Sequence, residues 1–468
     1  MAETIKFGTD GWRAVIAEDF TYANVRRIAD AAGRVFSGDH PGGLVLVGYD
    51  TRFEAGSFAA AVAAVLAAHG LRVQLSDRFL PTPALSWATD RSEAVGAIML
   101  TASHNPAEYC GFKIKMADGG SAPPAVTARV EAALPAQDPG PGFAGDFDTV
   151  NLVAEYLEAL KAFVDADAIR AAGLHVVVDP LYGAGQGFLA ATLRDLGVDV
   201  VELHADFNPS FGGLHPEPIP PHIDELIHSV TDLRRDAGFT TDGDADRIGA
   251  VDSAGDFVNP QRIFALVVRH LVEDRGMSGA VVKTLSTSVL VDRIGRHLDL
   301  DVRTTAIGFK LIYEQMVAGG VLVGGEESGG IGVPAHVRER DGLLMALLLC
   351  EMMAQHGKGL GELVDDLFAV TGPMEYRRVD MKLDQATKET FLAAIPTMKP
   401  AQLAGRAVED VVTIDGIKFM LPDDAWLLLR PSGTEPLVRV YAEAPTTADV
   451  DELLAAGEAL VSDPAGHR

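Results

Sequence analysis

The chain has 468 residues, of which 48% are hydrophobic and 22% charged, so we expect a globular protein with more than one domain. Its formal net charge of −27 at pH 7 argues against nucleic acid and anionic membranes as partners, because either would need a basic surface. Two cysteines are too few for a disulfide framework and the N-terminus lacks a signal-peptide pattern, so we expect a soluble cytoplasmic protein.

Three segments repeat a strand–helix–strand pattern along the chain. They run over residues 44–77, 174–204 and 279–316, and Gly70 and Gly197 are placed to end the first two helices. Such units predict parallel sheets covered by helices, in three related domains.

The remaining segments separate or follow these units. Residues 133–147 are rich in proline and glycine and are predicted to be a linker, whereas residues 206–222 are long enough for a functional loop. The apolar run 343–354 is too short to span a bilayer and predicts a buried helix. Beyond Gly372, alternating strands and a final helix predict a separate α+β domain.

A short polar segment after a predicted buried strand is the first candidate for catalysis. The run AVGAIML is followed by TASHNP, which contains the hydroxyl of Ser103 and the imidazole of His104. Loops at the carboxyl ends of strands in open α/β sheets form ligand sites, so Ser103 is a candidate nucleophile. For this hexapeptide alone, an ordinary turn is the alternative.

The segment DGDADR, residues 242–247, places carboxylates at alternate positions. The side chains of Asp242, Asp244 and Asp246 can converge on one divalent cation, for which Mg²⁺ is the natural choice. An EF-hand loop is excluded because its required glycine and glutamate are missing. A solvated acidic turn is the alternative.

Three further segments combine glycines with polar or charged groups: FGTDGWR at 7–13, GGEESGG at 324–330 and RPSGTEP at 430–436. The second places Glu326 and Ser328 where they can contact sugar hydroxyls, and the third suits a phosphate group. Ordinary turns are the alternatives for the first two. In this acidic chain, basic residues fall in or beside the motifs: Arg13, Lys113, Arg247, Lys283 and Arg430.

In this order, these motifs resemble the α-D-phosphohexomutase family, which includes phosphoglucomutases and phosphomannomutases. The resemblance extends over nearly the whole chain and implies three related α/β/α mixed-sheet domains and a C-terminal α+β domain around a central cleft. We predict the domains at residues 1–147, 148–252, 253–369 and 370–468. They would contribute, in that order, the serine, metal, sugar and phosphate loops.

The resemblance also implies roles for individual residues. Ser103 would carry a phosphoryl group, and Mg²⁺ would be held by Asp242, Asp244 and Asp246 with an oxygen of phosphorylated Ser103. The other implied catalytic residues are Arg13, His104, Lys113 and Arg247. The implied substrate-binding residues are Lys283, Gly308, Glu326, Ser328, Arg430, Ser432, Gly433 and Thr434.

The implied reaction interconverts hexose 1-phosphates and hexose 6-phosphates through a 1,6-bisphosphate, with glucose 1,6-bisphosphate as activator. Gly330 and the pair Phe309–Lys310 stand where some dual-specificity relatives carry histidines, which favours a phosphoglucomutase over a dual-specificity phosphomannomutase. Phosphomannomutase and phosphoglucosamine mutase are the alternatives. Cys110 stands where asparagine is common, and nothing in the sequence explains this change. We expect small hexose phosphates as partners and a monomer or homodimer.

Serine needs a base to accept its proton, and two residues are candidates. Lys113 is the first, provided that its pKa is lowered, and His104 is the second. Three rival functions are a dinucleotide-binding protein based on YGAGQG, a catalytically silent sugar-phosphate-binding protein, and a phosphatase in which water intercepts the phosphoserine.

Overall fold

The computed structural model describes residues 5–8, 10–432 and 437–463, so the predicted site residues Gly433 and Thr434 lie outside the described residues. The described strands form four sheets of four to six strands and one two-stranded sheet. We number the four units built on the larger sheets domains I to IV. Among the described helices, none has both the length and the apolar character needed to cross a membrane.

Domain I contains a six-stranded sheet with strand order β1-β5-β4-β2-β3-β6. Its elements are β1 (Trp12–Val15), α1 (Tyr22–Asp39), β2 (Leu44–Tyr49), α2 (Ala55–Ala68), β3 (Arg72–Ser76), α3 (Thr82–Asp90), β4 (Ala94–Leu100), β5 (Tyr109–Met116), α4 (Pro124–Ala132) and β6 (Asp148–Val150). Alternate residues of β2 pack into different cores, since Val45 and Val47 join the core of α1 and α2 while Leu44 and Leu46 face α3. Strand β6 pairs with β3, so this sheet extends past the predicted boundary at residue 147.

Domain II contains a five-stranded sheet with strand order β11-β10-β9-β7-β8. Its elements are α5 (Ala154–Phe163), α6 (Ala166–Ala172), β7 (His175–Asp179), α7 (Phe188–Asp195), β8 (Asp199–Glu202), α8 (Asp224–Asp232), β9 (Ala237–Thr241), β10 (Ile248–Asp252) and β11 (Phe257–Val258). Because β11 pairs with β10, this sheet also extends past its predicted boundary, at residue 252.

Domain III contains a four-stranded sheet with strand order β13-β12-β14-β15. Its elements are α9 (Pro260–Glu273), β12 (Ala280–Thr284), α10 (Val289–His297), β13 (Val302–Thr305), α11 (Phe309–Ala318), β14 (Val321–Gly325), β15 (Ile331–Gly332), α12 (Gly342–His356) and α13 (Leu360–Thr371). Helix α12 is buried from Gly342 to Met353 and lies in the largest hydrophobic core, which confirms the buried helix predicted from the apolar run.

Each of these three sheets is mixed, which confirms the mixed-sheet domains that the family resemblance implied. The strand–helix–strand units do pair in parallel, but in each domain one strand of the parallel set continues into an antiparallel neighbour. These hairpins are β4–β5, β9–β10 and β14–β15. Their connections contain TASHNP, DGDADR and GGEESGG, so the three motifs occupy equivalent positions in three related sheets.

Domain IV is an antiparallel five-stranded sheet covered by helices, with strand order β16-β22-β21-β20-β19. Its elements are β16 (Glu375–Lys382), α14 (Gln385–Ala394), β17 (Gln402–Leu403), β18 (Arg406–Ala407), β19 (Asp410–Val412), β20 (Ile417–Met420), β21 (Trp426–Pro431), β22 (Leu437–Ala444) and α15 (Thr447–Ser462). Thr446 Oγ1 accepts a hydrogen bond from the N–H of Asp449 and begins α15, as the sequence predicted. The predicted α+β fold of this domain is confirmed.

Domains III and IV contact each other through a buried polar cluster. A carboxylate oxygen of Glu443 on β22 accepts a hydrogen bond of 2.9 Å from the N–H of Val289, at the start of α10. Lys418 on β20 donates to the carbonyl of Leu285 at 2.7 Å, and its Nζ lies 3.8 Å from the centre of the Trp426 ring. Burial lowers the pKa of Lys418 to about 7, and Lys283 lowers it in the same direction.

We expect this lysine to make stability depend on pH. A lysine whose pKa is lower in the folded than in the unfolded chain gives up its proton on folding. The free energy of unfolding therefore rises with pH, from about pH 7 up to the pKa of this lysine in the unfolded chain. Between pH 7 and 9 the free energy of unfolding should rise by about 1–3 kcal/mol more in the wild type than in Lys418→Met. Denaturant unfolding at several pH values measures this; equal pH profiles for both proteins would contradict it.

Candidate active site

Ser103 occupies the turn after β4 in a conformation unusual for a residue with a side chain. Its φ of 53° lies in the left-handed region, and its N–H donates to Thr101 Oγ1 at 2.9 Å. Its Oγ donates to Asp242 Oδ2 at 2.8 Å and lies 3.4 Å from His104 Nδ1. The structure therefore brings the candidate nucleophile, the first aspartate and the second candidate base together.

Arg52, at the end of the turn after β2, holds this loop in place and was missed in the sequence. The side chains of Arg52 and Asp50 are fully buried and paired at 3.1 Å. The remaining guanidinium N–H groups donate to the main-chain oxygens of Ser103, Asn105, Pro106 and Tyr109 at 2.6–2.8 Å. The only signal in the sequence was a charged pair after an apolar strand, which by itself does not indicate which loop it contacts.

We expect Arg52→Lys to impair both the loop and the fold. Lysine keeps the charge but lacks the planar fork that reaches several carbonyl groups at once, so buried oxygens lose their donors. The free energy of unfolding should fall by about 2–4 kcal/mol and kcat by at least about tenfold, with a smaller change in KM. The matched control is Arg78→Lys, since Arg78 is exposed; equal effects of the two changes would contradict the positioning role.

The three aspartates of the β9–β10 turn form a buried cluster whose oxygen atoms lie within 4.8 Å of one another. Asp244 Oδ1 and Asp246 Oδ1 are buried and have no hydrogen-bond partner among the described residues, whereas Asp246 Oδ2 is paired with Arg340 Nη2. Burial raises the pKa of Asp242 well above its usual range, and Asp246 and Asp244 raise it further. Unpartnered carboxylate oxygens in a crowded buried site are the donor set that a hard divalent cation requires, so these residues fit Mg²⁺.

A close glycine supports this cluster. A Cβ on Gly183, in the segment YGAGQG, would lie 2.8 Å from the main-chain oxygen of Asp242, so no larger residue fits there. The same segment leads directly into α7. Its glycines thus lie at the start of a helix and pack against the aspartate loop.

Lys113 lies on β5 within the same cluster but is bound to carboxylates. Its Nζ lies 2.9 Å from both Asp10 Oδ2 and Asp244 Oδ2. Burial lowers the pKa of Lys113, but the carboxylates of Asp10 and Asp244 outweigh this effect and raise its pKa. The neighbouring carboxylates thus raise the pKa of Lys113, and no described contact joins its Nζ to Ser103, so a role of Lys113 as the base stays a prediction.

His104 is the better placed of the two candidate bases. Burial lowers its pKa well below the usual range, and the charges of Arg247 and Arg13 lower it further, so its imidazole is unprotonated at neutral pH. Arg13 Nη1 donates to Asn105 Oδ1 at 2.5 Å in the same loop. Arg247 Nε is buried and has no hydrogen-bond partner among the described residues, although Asp242 and Asp246 each lie 3.9 Å away. An anionic ligand would satisfy that donor.

Glu326 joins the site through Arg340, which the sequence analysis also missed. Arg340 Nη2 lies 2.7 Å from Asp246 Oδ2, and Nη1 lies 3.7 Å from Glu326 Oε2. Burial raises the pKa of Glu326 to about 7, which Arg340 opposes. A Cβ on Gly330 would lie 2.3 Å from Arg340 Cδ, and the guanidinium lies over the Phe309 ring. Arg340 thus occupies the space next to the two positions where some relatives carry histidines.

The remaining predicted substrate residues lie around this centre at different distances. Ser328 is half-buried in the β14–β15 turn, and Gly308 precedes α11 with a φ of 133°. In domain IV, Arg430 is the last residue but one of β21, and its Nε donates to Asp415 Oδ2 at 3.0 Å. Ser432 is buried just beyond it and its carbonyl accepts a hydrogen bond from Lys388 Nζ.

Lys283, which was predicted to bind substrate, lies outside the cluster of Ser103 and the three aspartates. Its Nζ donates to the carbonyl of Ser288 at 3.0 Å and is also paired with Asp292, so it lies in the buried cluster between domains III and IV. Binding of substrate by Lys283 stays a prediction, as do the roles of Gly433 and Thr434.

Three related α/β domains that each supply one polar turn to a shared, highly charged centre define a multidomain enzyme for phosphorylated substrates. Models of the phosphoglucomutase/phosphomannomutase α/β/α domains I, II and III match residues 4–140, 154–255 and 259–371, and the C-terminal domain model matches residues 383–459. The chain belongs to the phosphoglucomutase/phosphomannomutase family, and is therefore a phosphohexomutase.

Individual relatives resemble the chain over nearly its full length. A phosphoglucomutase/phosphomannomutase of Thermococcus kodakarensis is 32% identical over 98% of both chains. A phosphoglucosamine mutase of Frankia alni is 35% identical over 94% of both chains. The crystal structure of a Thermus thermophilus protein, provisionally assigned as a phosphomannomutase, has a TM-score of 0.89 and 38% identity, covering 98% of this chain and 100% of the other.

Proposed function

We propose that this phosphohexomutase interconverts α-D-glucose 1-phosphate and glucose 6-phosphate through phosphorylated Ser103, Mg²⁺ and a glucose 1,6-bisphosphate intermediate. The observation that carries the proposal is the contact of 2.8 Å between Ser103 Oγ and Asp242 Oδ2, which joins the candidate nucleophile to a buried trio of aspartates. Phosphoryl transfer needs alignment and neutralisation of negative charge more than elaborate covalent chemistry.

The described side chains support specific roles in this reaction. Phosphorylated Ser103 donates its phosphoryl group to the free hydroxyl of the sugar phosphate and later receives the other phosphate back. Arg247, with an unpartnered Nε, and Arg13 would balance the charge of the group in transfer. His104, unprotonated and 3.4 Å from Ser103 Oγ, would accept the serine proton when Ser103 is phosphorylated again.

Asp242, Asp244 and Asp246 would hold Mg²⁺, whose chemistry here is to polarise phosphoryl oxygens. Glu326 and Ser328 would contact sugar hydroxyls, and Arg430 with Ser432 would bind the phosphate that is not transferred. A carboxyl group whose pKa is about 7, as for Glu326, can either donate to or accept from a hydroxyl at neutral pH. Such a group suits a sugar that must bind in two orientations.

We propose glucose rather than a dual mannose and glucose specificity because Gly330 and Phe309 stand where relatives of dual specificity carry histidines, and Arg340 packs against both residues. Mannose and glucosamine phosphates stay alternative substrates for this chain, because the names of the relatives given above include those sugars. One hydroxyl of different orientation changes binding by only about 1–3 kcal/mol, so direct comparison of substrates is required.

The test is conversion of glucose 1-phosphate, mannose 1-phosphate and glucosamine 1-phosphate, each with Mg²⁺ and the matching 1,6-bisphosphate. We expect the highest kcat/KM for glucose 1-phosphate. A higher value for mannose or glucosamine phosphate would transfer the proposal to that sugar. Release of inorganic phosphate without isomerisation would indicate a phosphatase, and binding without turnover a silent sugar-phosphate-binding protein.

A further inference from the structure

A second cluster of metal-binding side chains lies outside the aspartate trio, in the long loop of domain II between β8 and α8. Its members are His215, Glu217 and His222, and one ligand atom from each lies within 4.8 Å of the others. All three residues are half-buried, so a dissolved ion can reach them. The sequence analysis predicted a functional loop at residues 206–222 but assigned it no chemistry.

The geometry points to a binding site for a transition-metal ion, formed by His215, Glu217 and His222. Zn²⁺ is the ion that these three side chains suit best. This site goes beyond the proposed function and does not depend on it.

Side-chain arrangement supports this assignment. The rings of His215 and His222 are stacked with centroids 5.1 Å apart and an interplanar angle of 25°, so the two imidazoles lie side by side. His215 Nδ1 is buried, lies 3.8 Å from Glu217 Oε2, and has no hydrogen-bond partner among the described residues. A buried nitrogen without a partner costs free energy, and a metal ion between it and the carboxylate would remove that cost.

The chemistry of the donors separates this cluster from the aspartate trio. Two imidazoles and one carboxylate are typical of Zn²⁺ and related ions, whereas Mg²⁺ prefers oxygen atoms alone. Three protein ligands also leave a coordination position open. The two clusters therefore select different cations by ligand type.

The loop that carries these residues is fixed against the active site. A Cβ on Gly249 of β10 would lie 2.4 Å from the main-chain oxygen of Pro218, so the loop packs directly on that strand. The ring centroids of His215 and His104 are 6.3 Å apart. The proposed ion would thus lie beside the serine loop, and its ligands come from a loop whose backbone is held in place before the ion binds.

The experiment is a calorimetric titration of the full-length protein with Zn²⁺ in buffer saturated with Mg²⁺. The variants are His222→Gln, Asp244→Asn and, as matched control, His228→Gln, since His228 is an exposed histidine of the neighbouring helix α8. Zn²⁺ affinity should fall by at least about tenfold in His222→Gln, because loss of a metal ligand costs no less affinity than loss of a residue that hydrogen-bonds to a ligand. The affinity for Zn²⁺ should persist in Asp244→Asn and His228→Gln.

X-ray absorption at the zinc edge of the Zn²⁺-loaded wild type provides an independent measurement. We expect scattering from two imidazole rings in the first coordination sphere. An all-oxygen sphere, unchanged affinity in His222→Gln, loss of Zn²⁺ binding in Asp244→Asn, or no binding to the wild type would each overturn the proposal.

Discussion

Replacement of Ser103 by alanine is expected to reduce kcat by on the order of 10⁴-fold or more, because the group proposed to carry the phosphoryl moiety is lost. Its Oγ contacts Asp242 at 2.8 Å and His104 at 3.4 Å, and neither side chain replaces a serine hydroxyl. The measurement is turnover of glucose 1-phosphate together with transfer of label from radioactive glucose 1,6-bisphosphate to the protein.

The fold should tolerate this change. Alanine removes one hydrogen bond and leaves the main-chain contacts from Arg52 in place, so Tm should stay close to that of the wild type. Ser278→Ala is the matched control because Ser278 is exposed and lies far from the site in sequence. Retention of label transfer in Ser103→Ala would assign the phosphoryl group to another residue.

Asp242→Asn is expected to have opposite effects on activity and on the stability of the metal-free protein. Activity should fall by at least about 10²–10³-fold, because a charged ligand that also contacts Ser103 is neutralised. Without metal, burial and two neighbouring carboxylates disfavour the charge of Asp242, so the uncharged amide relieves repulsion. The metal-free variant should therefore melt about 2–4 °C higher than the metal-free wild type.

The pH dependence of this difference follows from the raised pKa. An acid whose pKa is higher in the folded chain contributes stability at low pH that is lost as pH rises through its folded value. The variant's advantage in Tm should thus be absent in acid and grow toward neutral pH in the metal-free state.

Addition of Mg²⁺ should reverse the order of the two melting temperatures, so that the wild type melts at a higher temperature than Asp242→Asn. A cation that binds the folded state raises the Tm of the wild type, while the variant has lost a ligand and gains less. Asp232→Asn is the control, since Asp232 is exposed on α8. Equal Mg²⁺-dependent shifts in wild type and Asp242→Asn would remove Asp242 from the metal site.

Several features of this protein follow from local sequence alone. Short apolar runs predicted the strands β2 and β4, a longer apolar run predicted the buried helix α12, and the pattern beyond Gly372 predicted the final helix α15. The motifs were also local, because serine, aspartate and glycine at close spacing retain their chemical character in any fold. Their combination was sufficient to identify the family.

Only the tertiary structure decided which distant residues act together. Arg52 lies 51 positions before Ser103 and Arg340 is 330 positions from Asp10, yet each guanidinium reaches across to those partners. Sequence spacing gives no information on such contacts, because they depend on how the sheets of different domains pack. The same packing sets ionisation: the pKa of Lys113 is raised by Asp10 and Asp244, which come from two other segments of the chain.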